Sequence, residues 1–154
     1  MFEVIYYSRG GNTRKVAEAI ASELGTAAKD IKTVGTVAAD AYIILGSGCY
    51  GAVLVKDIAD FLDRNNAEGR KIALFTTSVL GLSKEVDIMA KQIQAKGAKI
   101  TNSFNCYGQF LAVKRGHPDK NDLDRAREFA RAVAAGEEIK TVQFQPTLQT
   151  TGAK

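Results

Sequence analysis

The stretch YYSRGGNT, residues 6–13, lies between an apolar run and a segment with helical periodicity. The run Phe2–Tyr7 is rich in β-branched and aromatic residues, which predicts a buried strand. Behind the stretch, apolar residues recur at helical spacing, which predicts a helix with one face on a sheet. These residues are Val16, Ala17, Ile20, Ala21 and Leu24. A strand that gives way to a helix within about six residues is typical of alternating α/β proteins.

The loop between this strand and this helix has the composition of a phosphate-binding site. Gly10 and Gly11 let the backbone approach a ligand closely. Ser8, Asn12 and Thr13 offer side-chain donors, and we expect them also to cap the helix. The unpaired N–H groups at a helix start favour an anion in such a loop. Taken alone, the octet is also consistent with an ordinary turn followed by a helix cap.

Three stricter motifs do not match the sequence. The dinucleotide fingerprint requires G-x-G-x-x-G, whereas this loop has one adjacent glycine pair. The nucleoside triphosphate loop requires Gly-Lys-Ser/Thr, whereas Gly51 is followed by Ala52 and Val53. A phosphoacceptor receiver domain needs carboxylates after its first and third strands, where this chain has Ser8 and Ser47.

Strand and helix patterns alternate along the whole chain. Further strands are predicted at 27–34, 41–45, 71–76 and 100–107, and helices after residue 51, at 83–96 and at 121–135. Right-handed crossovers and helices on both faces predict a doubly wound, open sheet of five parallel strands in the order 2-1-3-4-5. A ligand of such a sheet binds beyond the carboxyl ends of strands one and three. We predict one domain, 1–140, and a C-terminal extension of unknown role, 141–154.

The bulk composition is typical of a single cytoplasmic domain. The chain has 154 residues, of which 45% are hydrophobic, and no apolar run approaches the ~20 residues needed to cross a bilayer. Two cysteines, Cys49 and Cys106, agree with a reducing compartment. The net charge of +4 permits nucleic-acid binding, but the basic residues are scattered, so we expect neither a nucleic-acid nor a membrane partner. The sequence does not determine the oligomeric state, and a monomer is the default expectation.

The loop at 8–13 resembles the phosphate signature of the flavodoxin family, Ser/Thr-x-Thr-Gly-Asn-Thr. Ser8, Gly11, Asn12 and Thr13 stand in matching places, while Gly10 replaces the usual threonine and Arg9 adds a cation. After the third strand, Tyr50-Gly51 stands where the family places an aromatic residue and a glycine against the flavin ring. The loop at 77–82 stands where the family covers the ring, but it has no tyrosine, so Leu80 or Leu82 would supply an apolar cover.

The resemblance covers residues 2–135 and implies a set of flavin contacts. These are Ser8, Arg9, Gly10, Gly11, Asn12, Thr13, Ser47, Gly48, Cys49, Tyr50, Gly51, Thr77, Ser78, Val79, Leu80 and Gly81. The resemblance implies non-covalent FMN and single-electron transfer between redox partner proteins. No catalytic residues or metal ligands stand out, as expected when the chemistry belongs to a cofactor.

Two other functions remain open at this point. One is a small FMN oxidoreductase acting on a quinone, a porphyrinogen or another small molecule. The other is a flavin-free binding module of the same fold, which Gly10 and the missing second aromatic residue suggest. Cys49 is interpreted as a small residue in a tight loop, with a redox-sensitive thiol as the alternative. His117, before Pro118, is interpreted as part of a turn, with electrostatic tuning of the flavin or of a partner as the alternative.

Overall fold

A computed structural model of the chain describes residues 1–49, 53–79, 83–109 and 115–138. Within these ranges, strands and helices alternate. The strands are β1 (Phe2–Tyr7), β2 (Ala28–Asp30), β3 (Tyr42–Gly48), β4 (Lys71–Ser78) and β5 (Lys99–Tyr107), and the helices are α1 (Asn12–Glu23), α2 (Lys56–Arg64), α3 (Ser83–Gln94) and α4 (Lys120–Ala134). None of the helices in the described ranges is both long and apolar enough to span a membrane.

The strands form one parallel sheet in the order β2-β1-β3-β4-β5, which confirms the predicted topology. The order reverses between β1 and β3, because the chain leaves β1 toward β2 on one side and returns to β3 on the other. The connections that leave the carboxyl ends of these two strands therefore run in opposite directions and leave a crevice, which is where ligands of doubly wound sheets bind.

Apolar side chains alternate between the two faces of the sheet and form two core layers. Val4, Ile44 and Phe104 pack on one side with α1 and α4. Ile5 and Leu74 pack on the other side with α2 and α3. The inward helix faces agree with the sequence periodicity. The buried helical residues include Val16, Ile20, Ile58, Leu62, Val86, Met89, Ile93, Phe129 and Val133.

The central strand β3 needs glycine at one position. Gly46 pairs with Phe75 on β4, and a Cβ atom on Gly46 would lie 2.0 Å from Phe75 Cζ. The phenyl ring of Phe75 therefore occupies the space that a side chain at 46 would need. Phe75 belongs to the first core layer, so this packing extends that layer toward the crevice.

Several element boundaries differ from those the sequence predicted. β3 continues through Ser47 to Gly48 and β4 through Thr77 to Ser78, because the main-chain ladder extends beyond the apolar residues. Residues predicted to lie in loops are therefore strand residues. β2 is only three residues long and gives way to a 3-10 turn, Ile31–Thr33, as a weakly paired edge strand permits. The proposed extension at 141–154 lies outside the described residues.

Candidate functional site

A cavity of about 510 Å³ opens at the carboxyl ends of β1, β3, β4 and β5, at the point where the strand order reverses. The described residues that line it come from four loops or strand ends. They are Ser8, Arg9, Gly10, Asn12, Thr13, Gly48, Cys49, Thr77, Ser78, Val79, Gly108 and Gln109. The fold therefore brings together the first and third strand ends that the sequence singled out, and adds the end of β5.

The loop after β1 leads into α1 through Gly11, whose φ of 89° is in the left-handed region. Glycine adopts this conformation without the strain that a Cβ atom would cause. Gly11 is the N-cap residue of α1, and no side chain in the described part of the chain caps the helix. The prediction that Ser8, Asn12 or Thr13 caps it was therefore wrong. Ser8 Oγ instead accepts the N–H of Gly11 at 3.0 Å, which closes the loop.

Asn12 connects the loop after β1 to the chain that follows β5. Its Nδ2 donates to the carbonyl oxygen of Gln109 at 2.7 Å. A Cβ atom on Gly108 would lie 3.0 Å from Asn12 Nδ2, so glycine at 108 makes this approach possible. The sequence interpretation missed Gly108 and Gln109 as cavity residues. The available signal was a glycine placed directly after the last strand.

Thr13 connects α1 to β4. Its hydroxyl lies 2.9 Å from the hydroxyl of Thr77, and both residues are buried. One of the two hydroxyl groups donates its proton to the other, so the acceptor hydroxyl keeps a proton for a further hydrogen bond. Ser8, which accepts from Gly11, also keeps its own hydroxyl proton, and Asn12 has a second amide proton. The loop therefore retains donors after its internal bonds are made.

The strand ends opposite this loop contribute unequally. Gly48 and Cys49 line the cavity, as do Thr77, Ser78 and Val79. Ser47 does not line it, because this side chain is fully buried and donates to the Gly48 carbonyl oxygen at 2.8 Å. Four of the predicted contacts lie outside the described residues. They are Tyr50, Gly51, Leu80 and Gly81.

Cys49 is held as a neutral thiol. Burial, followed by the negative charge of Glu85, raises the pKa of Cys49 to about 12. Its sulfur lies 4.0 Å from the sulfur of Met89. A thiol with so high a pKa is a poor nucleophile at neutral pH, which agrees with a packing role better than with a redox-sensitive one. Both Cys49 and Cys106 are free.

Buried polar groups continue beneath the cavity between β4 and β5. Thr76 donates to Asn105 Oδ1 at 2.9 Å, and Ser78 lies 3.5 Å from the same oxygen. Glu85, at the start of α3, has one buried carboxylate oxygen without a hydrogen-bond partner among the described residues. The sequence interpretation did not predict this network, because these contacts depend on the register of β4 against β5.

His117 forms a cluster with Asp119 and Asp122 at the start of α4. Its Nδ1 lies 2.6 Å from Asp122 Oδ2, which also accepts the N–H of Asp119 at 2.8 Å. Asp119 accepts the N–H of Asp122 in return, which completes a capping box. This hydrogen bond from Asp122 is the main cause of the lowered pKa of Asp119. These bonds give the cluster a structural role, and the sequence had predicted only a turn there.

Residues 3–116 match the sequence model of the flavodoxin domain. The chain belongs to the flavodoxin domain family. It is 28% identical, over an alignment of 134 residues, to an uncharacterized protein of Methanocaldococcus jannaschii, covering 79% of this chain and 89% of that protein.

Solved flavodoxin structures share the fold of this family member. An archaeal flavodoxin aligns with a TM-score of 0.66 at 20% identity, covering 90% of this chain and 99% of that one. The oxidised flavodoxin 2 of Bacillus cereus aligns with a TM-score of 0.63 at 23% identity, covering 87% of this chain and 97% of that one. Identities this low show a common fold.

Proposed function

We propose that this flavodoxin-family protein binds one FMN non-covalently and carries single electrons between partner proteins. The observation that carries the proposal is the uncapped amino end of α1, which lies beside the cavity at the reversal of strand order. Main-chain N–H groups and the helix dipole favour a phosphate at such a helix end.

The described residues fit a phosphorylated flavin. A cavity of about 510 Å³ is within the range of about 300–1,000 Å³ typical of small-molecule sites. Residues 8–13 would hold the phosphate, through the hydroxyl of Ser8, the second amide proton of Asn12 and the N–H groups of the first turn of α1. Among the described residues, and apart from the chain neighbours of Gly10, no atom lies within 4 Å of the place where a Cβ of Gly10 would be, so the described part of the loop is open on that side.

The flavin ring would lie against the ends of β3 and β4. Gly48 and Cys49 form one part of this wall and the range 77–79 forms another. Tyr50, Gly51, Leu80 and Gly81 are also proposed ring contacts, on the strength of the family signature. The bound cofactor supplies reversible one-electron chemistry, and the protein supplies binding and electrostatics.

The side chains that line the described part of the cavity support a carrier over an enzyme. They include hydroxyl groups, amides, the Arg9 guanidinium and the Cys49 thiol, whose pKa is raised to about 12. Such groups bind and orient a ligand, but they do not accept protons near neutral pH.

The first test is a titration of the apoprotein with FMN and, separately, with riboflavin, followed by flavin fluorescence and visible absorbance. We expect FMN to bind more tightly than riboflavin by about 100-fold or more, since two or more charge-assisted hydrogen bonds to phosphate contribute about 3 kcal/mol or more. A colourless protein after incubation with excess FMN would refute the proposal. Equal affinities for the two flavins would refute the phosphate site.

Two glycines with positive φ, one in the phosphate loop and one away from the cavity, provide matched variants for this titration. Gly11→Ala places a Cβ atom on a residue with a φ of 89°, which costs about 1–2 kcal/mol unless the loop rearranges. We expect this variant to bind FMN about tenfold more weakly or worse. Gly25→Ala makes the same change at a residue with a φ of 68° that does not line the cavity, so it should bind FMN as tightly as the unmodified protein.

The second test separates a carrier from an oxidoreductase. Stepwise reduction of the FMN-loaded protein should show two resolved one-electron potentials. Oxidation of NADH or NADPH in the presence of a soluble quinone should stay close to the rate of free FMN. Rapid quinone-dependent turnover would instead support the small-molecule oxidoreductase.

A further inference from the structure

Arg9 is the only charged residue among the described residues that line the cavity. It lies in the loop after β1, directly before Gly10, and it is exposed. The family signature Ser/Thr-x-Thr-Gly-Asn-Thr leaves this position open, so the signature itself assigns Arg9 no role. A positive charge in a cavity wall whose other described residues are neutral indicates a ligand with a negative charge.

Tyr7 holds the Arg9 side chain at the edge of the loop. Arg9 Nε donates to Tyr7 Oη at 3.3 Å, and the guanidinium carbon lies 5.9 Å from the centre of the Tyr7 ring, close enough for a cation–π attraction. Tyr7 is itself well anchored. It is the last residue of β1, it pairs with Ser47 of β3, and it packs against the second core layer. The guanidinium therefore has a rigid support beside residues 8–13.

A second cation lies near the same ring. Lys32, in the turn after β2, has its Nζ atom 5.6 Å from the centre of the Tyr7 ring. Lys32 has no ion pair within the described ranges. Two like charges around one ring repel each other, and Asp30, whose Oδ1 accepts the main-chain N–H of Lys32, offsets part of this repulsion. An anion bound beside Arg9 would lower it further.

The remaining charged residues near the loop do not face the cavity. Arg14 and Lys15, near the start of α1, are exposed, and neither is among the described residues that line the cavity. Arg14 pairs with Glu18 at 2.9 Å, one turn along the helix. The stretches outside the described ranges contain no Asp or Glu. The positive charge of Arg9 is therefore the one that a ligand in the described part of the cavity meets directly.

We propose that Arg9, positioned by Tyr7, binds the phosphate of FMN and makes the site selective for a phosphorylated flavin. The inference rests on the proposed function and adds a charge to the neutral donors of residues 8–13. A guanidinium presents five N–H donors in a fork that matches phosphate oxygens, and charge-assisted bonds of this kind are about twice as strong as neutral ones. Because Arg9 is exposed, salt should weaken its contribution.

The test compares titrations of FMN and of riboflavin into charge-matched variants of the full chain. Arg9→Gln removes the cation in the cavity wall, and Arg14→Gln removes an exposed cation that does not line the cavity. Each change removes one positive charge, so both variants go from +4 to +3. We expect Arg9→Gln to bind FMN about tenfold more weakly, and Arg14→Gln less than about twofold more weakly. The affinity for riboflavin should stay within about twofold in both variants.

Salt and a conservative variant identify the charge as the cause. Raising the ionic strength from about 20 to 500 mM should weaken FMN binding by the unmodified protein about threefold or more, because salt screens the attraction. The same change should affect Arg9→Gln less. Arg9→Lys keeps the charge but loses the forked donors, so its affinity for FMN should lie between those of the unmodified protein and Arg9→Gln.

Tyr7→Phe tests the positioning of Arg9. It removes the hydroxyl that accepts from Arg9 and keeps the ring. FMN should bind about threefold more weakly, with riboflavin unchanged, because Arg9 keeps its charge but loses the bond that orients it. The double variant of Tyr7→Phe and Arg9→Gln should bind FMN like Arg9→Gln alone, since the hydroxyl acts through Arg9. A merely structural hydroxyl would instead give additive losses.

The outcomes separate this inference from the proposed function. If the unmodified protein does not bind FMN, the proposed function fails before any variant is compared. If FMN binds but Arg9→Gln and Arg14→Gln bind it equally well, the inference is wrong and the carrier function stands. Equal losses for FMN and riboflavin in Arg9→Gln would show that Arg9 supports the fold or the ring site, and would also overturn the inference. Equal urea midpoints for the unmodified protein and Arg9→Gln exclude misfolding as the cause.

Discussion

The two ends of the sheet use polar groups in different ways. At the amino-terminal end, Arg70 donates to the carbonyl oxygens of Asn65 and Ala38, and Lys96 pairs with Asp63. These contacts hold the loops that connect helices and strands. At the carboxyl end, Thr13 bonds Thr77 across the cavity wall, and these hydroxyl groups retain a donor for a ligand. These polar groups at the amino-terminal end are paired within the protein, whereas those at the carboxyl end keep hydrogen-bonding capacity for a ligand.

Two helices that begin at the carboxyl end of the sheet also differ in whether their polar groups are paired within the protein. The start of α4 has a complete capping box between Asp119 and Asp122. The start of α1 follows Gly11 and has no side-chain cap, although a suitable cap would stabilise a helix by about 1 kcal/mol. Both α1 and α2 begin without a side-chain cap, and of these two helices only α1 has its first residues among the described residues that line the cavity. Leaving its N–H groups uncapped keeps them available to an anion.

Gly46→Ala should destabilise the whole sheet, since Gly46 lies in the central strand β3, which runs between the two ends. The new Cβ atom would meet the buried ring of Phe75 at 2.0 Å. We expect the free energy of unfolding to fall by about 3 kcal/mol. Urea denaturation measures it. Gly35→Ala is the control, since no atom of the described residues other than its chain neighbours lies within 4 Å of its Cβ position. Equal stability of both variants would contradict the packing at Gly46.

The hydroxyl pair at the cavity end should show coupling in a double-mutant cycle. Thr13→Val and Thr77→Val each leave one buried hydroxyl without its partner, so each should lower the free energy of unfolding by about 1–2 kcal/mol. The double variant should lose less than the sum of the two, by about 1 kcal/mol.

FMN titration of the same three variants separates stability from binding. Each loses a hydroxyl that lines the cavity, so the double variant should bind FMN more weakly than either single variant even though its stability loss is less than additive. Additive stability losses would show that the two hydroxyl groups do not bond each other.

The Cys49 thiol predicts a loss of stability in alkali. Its pKa in the folded protein is about 12, above the ordinary value of 9.0. Between these two values the thiol of Cys49 is deprotonated in the unfolded chain but still protonated in the folded protein. The contribution of Cys49 to the free energy of unfolding is therefore complete below pH 9 and falls as the pH rises above 9. From pH 9.5 to 10.5, stability should therefore fall more steeply than that of Cys49→Ala, by about 1.4 kcal/mol per pH unit. Parallel curves above pH 9 would contradict the buried thiol, and the two curves should run parallel between pH 6 and 8.

Removing an ion pair at the amino-terminal end should have the smallest effect. Lys96→Met breaks the contact with Asp63, a pair in which the two side chains are 28% and 65% exposed. Partly exposed pairs contribute about 1 kcal/mol at most, so stability should fall by less than that. FMN affinity should not change, because the pair lies at the other end of the sheet. A weaker FMN complex would show that the two ends are coupled, and Lys96→Arg should match the unmodified protein in both measurements.

The alternation of strands and helices, the sheet order and the position of the crevice could all be predicted from the sequence. Apolar periodicity distinguishes strands from helices locally, and right-handed crossovers leave few ways to connect five parallel strands. The glycine pair before α1 also predicted a tight turn there, and Gly11 has the positive φ that such a turn requires locally. These properties depend on neighbours along the chain.

The roles of individual side chains could be seen only in the tertiary structure. Thr13 bonds a residue 64 positions away, and Asn12 bonds one 97 positions away. Ser47 faces the core because β3 extends further than its apolar residues, and the pKa of Cys49 is set by burial and by a carboxylate on α3. Such contacts depend on the register of distant strands, which no local pattern encodes. The sequence therefore determined where the cavity lies, and the packing of the strands determined which of its groups remain available to a ligand.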